Sequence, residues 1–128
     1  MSRTLARLCF LVSDYDEAIL WFTEKLGFRL IEDTPLGVGK RWVRVGAEGG
    51  GELLLGRAEG AAQQAALGNQ AGGRVFLFLE TDDFARDHAR MLEAGISFRE
   101  APRREPYGTV AVFLDLYGNP WDLIEPRS

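Results

Sequence analysis

The chain has 128 residues, of which 46% are hydrophobic, and a formal net charge of −4 at pH 7. This length and apolar fraction suffice for one domain with a buried core and exclude the disordered and fibrous classes. The acidic balance argues against a nucleic acid or an anionic membrane as the partner, because both require a basic surface. No apolar run approaches the roughly 18 residues of a membrane span, and the first residues lack the apolar core of a signal peptide. We therefore expect a cytoplasmic protein without a membrane partner.

The first half of the chain follows the order strand, helix, strand. An apolar run ends just before Asp14, a good helix N-cap, and Glu17 completes a capping box. Apolar residues then recur at helical spacing until Gly27, which closes the helix. The predicted strands lie at 7–12, 28–31, 41–47 and 52–55. Cys9, the single cysteine, lies in the middle of the first strand, which predicts a buried thiol.

The second half repeats this order of elements. Asp83 follows Asp14 by 69 residues and Gly95 follows Gly27 by 68, so the first helical segment is one residue longer than the second. The repeat predicts two copies of one βαβββ unit. His88, the single histidine, falls on the second helix, where a structural role is expected. The predicted strands of this half lie at 75–79, 96–98, 109–115 and 121–125.

These elements predict an α+β fold of two tandem βαβββ modules, whose mixed sheets form a cup with the helices on the outer face. The expected single domain, 1–128, divides into module one (1–56), a linker (57–73) and module two (74–128). The linker is rich in Ala, Gln and Gly, with one helical turn expected at 61–67. Three arginines, Arg99, Arg103 and Arg104, are predicted to lie in a loop as a solvated basic rim.

Strand alternation divides the side chains between the two faces of each sheet. The fully apolar sets suit the face that packs on a helix, and the remaining residues are expected on the opposite face. These are Arg7, Trp42, Arg44, Glu52, Phe76, Phe78, Glu80 and Asp122. A concave surface with aromatic walls and a few charges is the usual form of a ligand pocket, so these residues other than Glu80 are the predicted binding site.

Three landmarks in the chain together resemble those of a known family. They are Val12-x-Asp14 before a helix ending in Leu26-Gly27-Phe28, Asp82-Asp83 before a helix ending in Ala94-Gly95, and Phe113-x-Asp115-x-x-Gly118-Asn119. This pattern looks like the vicinal oxygen chelate superfamily of glyoxalases, bleomycin-resistance proteins and extradiol dioxygenases. The resemblance implies the cup-shaped fold, which serves enzymes and binding proteins alike. It also implies a homodimer, since in relatives the two modules of one cup can belong to different chains.

In metal-dependent members of that family, the ligands stand on the first and last strands of each module. The matching positions here are Arg7, Glu52, Phe76 and Asp122. Arginine is permanently cationic and phenylalanine has no lone pair, so neither binds a metal. No cofactor is therefore expected, with Glu52 and Asp122 as the weak candidates for a divalent metal.

Three interpretations of this cluster stay open. Arg7 and Arg44 could neutralise Glu52 and Asp122 as a charge network. The arginines could instead bind an anionic group while Trp42, Phe76 and Phe78 cover its apolar body, leaving Glu52 and Asp122 as acceptors for cationic or hydroxyl groups. The two carboxylates could also hold a divalent ion.

The favoured function is a metal-independent protein that binds a small aromatic or amphiphilic molecule. A metal-dependent lyase, isomerase or dioxygenase with an ion on Glu52 and Asp122 is the first alternative, so the presence of an enzymatic activity is left open. A structural module with an occluded cup is the second alternative.

Overall fold

The computed structural model describes residues 1–127, which contain eight strands and three α-helices. They form two compact units, of which the first covers Met1–Leu67 and the second begins at Gly68. In chain order the elements are β1 (Arg7–Val12), α1 (Tyr15–Leu20), β2 (Arg29–Pro35), β3 (Arg41–Gly46), β4 (Glu52–Arg57), α2 (Gly60–Ala66), β5 (Leu77–Glu80), α3 (Phe84–Glu93), β6 (Arg103–Glu105), β7 (Gly108–Leu114) and β8 (Pro120–Pro126). The predicted α+β class with two βαβββ modules is confirmed. None of the helices in 1–127 is long and apolar enough to cross a membrane.

The first unit contains a four-stranded mixed sheet in the order β1-β4-β3-β2. β1 runs parallel to β4, and the other neighbours are antiparallel. Apolar residues on one face pack against α1 and exclude water from the core; Phe10, Val12, Val43 and Val45 have no exposed surface. The opposite face carries no helix of this unit, and we call it the first helix-free face.

The helix α1 begins as the sequence predicts and then changes its winding. The Asp14 carboxylate accepts a hydrogen bond from the backbone N–H of Glu17 at 3.0 Å, which is the expected N-cap. After Leu20 the chain continues as a π-helical turn over Trp21–Lys25, in which the N–H of Leu26 donates to the carbonyl of Trp21. A π-turn accommodates one extra residue in a helix. The one-residue difference between the two halves of the sequence is therefore absorbed here.

The second unit contains a mixed sheet in the order β5-β8-β7-β6, with β5 parallel to β8. The helix α3 packs against β8 and is N-capped by Asp83. A row of aromatic contacts runs from α3 into the sheet and buries this side of the unit; its members are Phe84, His88, Phe98, Phe113 and Trp121. His88 is thus on the helix, as predicted, and packs between two phenylalanine rings. The face away from α3 is the second helix-free face.

The second strand of module two differs from the prediction. The chain pairs with β7 over Arg103–Glu105 and not over 96–98, where Phe98 makes an isolated bridge to Phe113. The turn back into β7 requires Gly108, whose φ is +151° and where a Cβ would overlap the carbonyl oxygen of Glu125. Arg103 and Arg104 therefore belong to a strand, so the prediction of a loop at these two residues was wrong.

Cys9 also departs from the expectation, because its side chain is exposed. It pairs with Leu54 on the first helix-free face, and β1 is an edge strand of its sheet. The prediction of a buried thiol assumed that both faces of the sheet are covered, whereas the face that carries Cys9 has no helix of this unit packed on it.

Candidate functional site

Charged side chains meet on the first helix-free face because of strand register. Arg7 lies opposite Glu52 in the parallel β1–β4 pair, and Arg44 lies on the neighbouring strand β3. A β-bulge between Leu30 and Glu32 shifts β2 by one residue and brings Glu32 opposite Arg44. Trp42 is half-buried and, two residues before Arg44 on β3, lies on the same face.

The charged side chains of Arg7, Glu32, Arg44 and Glu52 form one connected network of ion pairs. Arg44 donates from Nε and Nη2 to the two carboxylate oxygens of Glu52 at 2.8 and 2.9 Å, and from Nη1 to Glu32 at 3.0 Å. The Nε of Arg7 donates to Glu52 at 3.3 Å. The fork of Arg44 is therefore engaged by carboxylates, and binding of an external anion by this residue requires these contacts to break.

The network changes the protonation equilibria of its acids. The hydrogen bonds from Arg44 are the main cause that lowers the pKa of Glu52, to about 2, with a smaller contribution from Arg7. The pKa of Glu32 is lowered by Arg44 and then by Thr34. Both carboxylates are thus ionised at neutral pH, and the network as a whole has no net charge.

Acid titration should reveal this network. Because the pKa of Glu52 is lower in the folded chain than its ordinary value of 4.5, its stabilising effect is complete above that pH and is lost as the pH falls towards about 2. We expect Glu52→Gln to flatten the decline of thermal stability over this acidic range, measured by circular dichroism. Glu48→Gln, at an exposed turn residue, is the control. Identical acid profiles for wild type and Glu52→Gln would contradict the role of the network.

The second helix-free face brings an aromatic ring next to a buried acid. Phe78 on β5 is aligned with Asp122 on β8, which in turn pairs with Val112 on β7. The Phe78 side chain is 65% exposed, whereas Asp122 is 8% exposed. Phe76 precedes β5, is half-buried and donates its backbone N–H to the carbonyl of Pro120.

The environment of Asp122 is unusual for a buried carboxylate. Its Oδ1 is buried and has no hydrogen-bond partner within the described residues 1–127. Burial is the main cause that raises the pKa of Asp122, with attraction by Arg103 and repulsion by Glu100 as further effects. Arg103 itself donates to Glu100 at 2.8 Å and contacts Glu105 and Tyr107. This carboxylate oxygen therefore has unused hydrogen-bonding capacity.

Sequence reasoning missed three charged residues of these faces: Glu32, Glu100 and Arg103. Simple alternation does not place Glu32 opposite Arg44, because the bulge inverts the side-chain pattern. Arg103 was assigned to a solvated loop, whereas β6 brings it near Asp122. Arg103, Arg104 and Glu105 are all charged, so no alternation of apolar and polar residues marks this strand in the sequence.

The residues present do not form a metal-binding donor set of the kind the family resemblance implies. Glu52 accepts hydrogen bonds from two arginines. The two first-strand positions, where relatives have metal ligands, hold Arg7 and Phe76. Within residues 1–127, no three His, Cys, Asp or Glu side chains are grouped so that they could hold a metal ion. Cationic guanidinium groups next to a carboxylate lower its affinity for a cation.

Comparison with known proteins gives matches over nearly the full chain. An uncharacterized protein of Shewanella frigidimarina (strain NCIMB 400) is 53% identical, with 98% of this chain and 95% of that protein covered. The crystal structure of UcmS2 matches with a TM-score of 0.83, 29% identity, and coverage of 98% and 99% of the two chains. TnmS3, described as an antibiotic binding protein from Streptomyces sp. CB03234, matches with a TM-score of 0.77 and 32% identity over 99% of each chain. A family model matches residues 4–123, and the chain belongs to the Glyoxalase/Bleomycin resistance protein/Dioxygenase superfamily.

Proposed function

We propose that this protein is a metal-independent binding protein for a small aromatic or amphiphilic molecule. Its binding site includes the second helix-free face, where Phe78 provides an apolar surface and Asp122 a polar anchor. The observation that carries this proposal is the exposure of Phe78, 65% of whose side chain is accessible on a strand next to buried residues. An exposed ring beside convergent polar groups is typical of a ligand site.

The superfamily membership supports a small-molecule function without specifying it, because the fold accommodates both enzymes and binding proteins. TnmS3 is described as an antibiotic binding protein, and it is 32% identical to this chain over 99% of its length. This similarity favours binding over catalysis as the function.

The chemistry of the matched metal positions supports metal independence. Two of the four positions carry Arg7 and Phe76, which cannot coordinate a cation, and Glu52 is already paired with arginines. The first helix-free face is the weaker place for an anionic ligand, since Glu52 and Glu32 compete with such a ligand for Arg44. Phe76, in the same unit as Phe78, remains a candidate for additional apolar contact with the ligand.

Thermal denaturation with a panel of small aromatic compounds tests the proposal. We expect at least one compound to raise the melting temperature, because a ligand that binds the folded state stabilises it. The shift should persist in EDTA and should be reduced in Phe78→Ala. This substitution should itself change the stability by less than about 0.5 kcal/mol, since the ring is mostly exposed.

The control for this experiment is Leu92→Ala, which shortens an exposed apolar side chain on α3, outside the proposed contact. A shift that disappears in EDTA and returns with a divalent metal would favour the alternative of a metal-dependent lyase, isomerase or dioxygenase. Absence of any shift over the whole panel would favour a structural module.

We further propose a homodimer in the cytoplasm with no nucleic-acid partner. The net charge of −4 supports the last point, because a phosphate backbone repels an acidic protein. Exposed apolar residues on the edge strand β1, of which Leu8 is 39% accessible, support association of two copies. The molar mass in solution, measured by light scattering, checks the dimer.

A further inference from the structure

A buried carboxylate oxygen without a hydrogen bond is costly to the folded state. Such a group loses its contacts with water on folding and receives nothing in return. In native proteins most buried polar atoms are paired, and each exception requires a physical explanation. Asp122 is such an exception, because its side chain is 8% exposed and its Oδ1 has no partner within 1–127.

The nearest charged groups are oriented so that they leave Asp122 unpaired. Arg103 is close enough to attract it electrostatically, yet the guanidinium donates to Glu100 and Tyr107 and is within 3.3 Å of Glu105. Glu100 repels Asp122 and so offsets part of this attraction. The arginine is thus held by other partners, and the Oδ1 of Asp122 receives no hydrogen bond within 1–127.

The residues on either side of Asp122 favour a ligand with an apolar body. Phe78 is adjacent on β5 and Val112 is adjacent on β7, so apolar surface lies on both sides of the carboxylate in the sheet. A flat aromatic body could cover Phe78 while its polar substituent reaches Asp122. A second carboxylate at that position would be repelled by the buried negative charge.

We infer that Asp122 selects an aromatic ligand carrying a hydrogen-bond donor, such as a phenolic hydroxyl group, and discriminates against aromatic carboxylates. This inference depends on the proposed binding function and identifies the ligand class for the same site. This ligand class differs from the anionic ligand that Arg7 and Arg44 suggested in the sequence.

Calorimetric titration near neutral pH with three matched probes tests this inference: naphthol, methoxynaphthalene and naphthoate, each substituted at the same ring position. Naphthol and methoxynaphthalene differ in the presence of a donor. We expect naphthol to bind wild type roughly tenfold more tightly than methoxynaphthalene, the factor expected for one hydrogen bond to a charged group. Naphthoate should bind more weakly than either probe.

Two variants isolate the role of the carboxylate. In Asp122→Leu, which has no acceptor, naphthol and methoxynaphthalene should bind with equal affinity. In Asp82→Asn, which removes one charge from an exposed residue, the preference of wild type should be retained. Circular dichroism confirms that each variant is folded before titration.

The outcomes separate this inference from the proposed function. Equal binding of naphthol and methoxynaphthalene to wild type, with affinity lost in Phe78→Ala, would overturn the ligand class while supporting a binding protein. Preferred binding of naphthoate would also overturn it and would favour Arg7 and Arg44 as the residues that bind an anionic ligand. Failure of all three probes to bind would count against both the ligand class and the binding site.

Discussion

Replacement of Asp115 by alanine is expected to lower the free energy of unfolding by about 3 kcal/mol, the loss typical of breaking a buried polar network. The carboxylate of Asp115 accepts hydrogen bonds from the backbone N–H groups of Tyr117 and Asn119, from the side-chain amide of Asn119 and from the indole of Trp121. These donors hold the turn between β7 and β8 and fix the Trp121 ring in the core. After the substitution they would remain buried without an acceptor. Chemical denaturation with urea measures the change.

A matched control for this prediction is Asp83→Ala, which removes a carboxylate that caps α3 at an exposed position. Loss of an N-cap typically costs about 1 kcal/mol. The Asp115 variant should therefore be distinctly less stable than the Asp83 variant. Equal losses in the two variants would show that the buried network contributes no more than an ordinary helix cap.

Replacement of Asp122 by leucine is expected to have the opposite effect and to raise the stability of the free protein. The substitution removes a buried oxygen that has no hydrogen bond. Such an oxygen lowers the free energy of unfolding by about 1 kcal/mol or more. A gain of this size corresponds to an increase of about 3 °C in the melting temperature of a chain of this length. The same variant should lose the preference for naphthol, since stability and ligand recognition make opposite demands on this residue.

The pH dependence of this gain provides a second check. Burial raises the pKa of Asp122 above its ordinary value of 3.8, so the folded state holds the proton more tightly than the unfolded state does. The Asp122 carboxyl therefore destabilises the folded state least below pH 3.8, and this destabilisation grows as the pH rises through the pKa of the folded state. The advantage of Asp122→Leu over wild type should shrink in acid. A leucine variant less stable than wild type near neutral pH would contradict the cost assigned to this carboxylate.

The two aspartates show why burial alone does not identify a site. Both are buried acids of the same unit, and desolvation is the main cause that raises the pKa of each. Asp115 has four donors, three in its own turn and one on the adjoining residue Trp121 of β8, and is explained by local structure. Asp122 has an unpaired oxygen on a sheet face next to an exposed ring. The difference between them lies in their hydrogen-bond partners, which the amino-acid type does not reveal.

Much of the fold was predictable from local chemistry. The N-caps Asp14 and Asp83 mark the helices, alternating side chains mark β1 and β3, and apolar runs mark β7 and β8. These signals depend on residues close together in the chain, so they are visible before folding. The one-residue difference between the two halves was visible too, although the π-turn that absorbs it was not predicted.

The candidate site was predictable only in part. Alternation placed Arg7, Arg44 and Glu52 on one face, and the structure shows them in contact. The position of Glu32 depends on a bulge, and that of Arg103 on a short strand whose pairing is set by Gly108. Small changes of register of this kind exchange the faces of every following side chain, and no local pattern specifies them.

The sequence by itself thus determined the element order, the repeat, the family resemblance and the residue types available for a site. Only the tertiary structure decided which charges neutralise each other and which remain unpaired. It assigned Arg44 to two carboxylates and left the Oδ1 of Asp122 without a donor within 1–127. The physical reason is that pairing and desolvation depend on distances of a few ångströms between strands that are far apart in the chain.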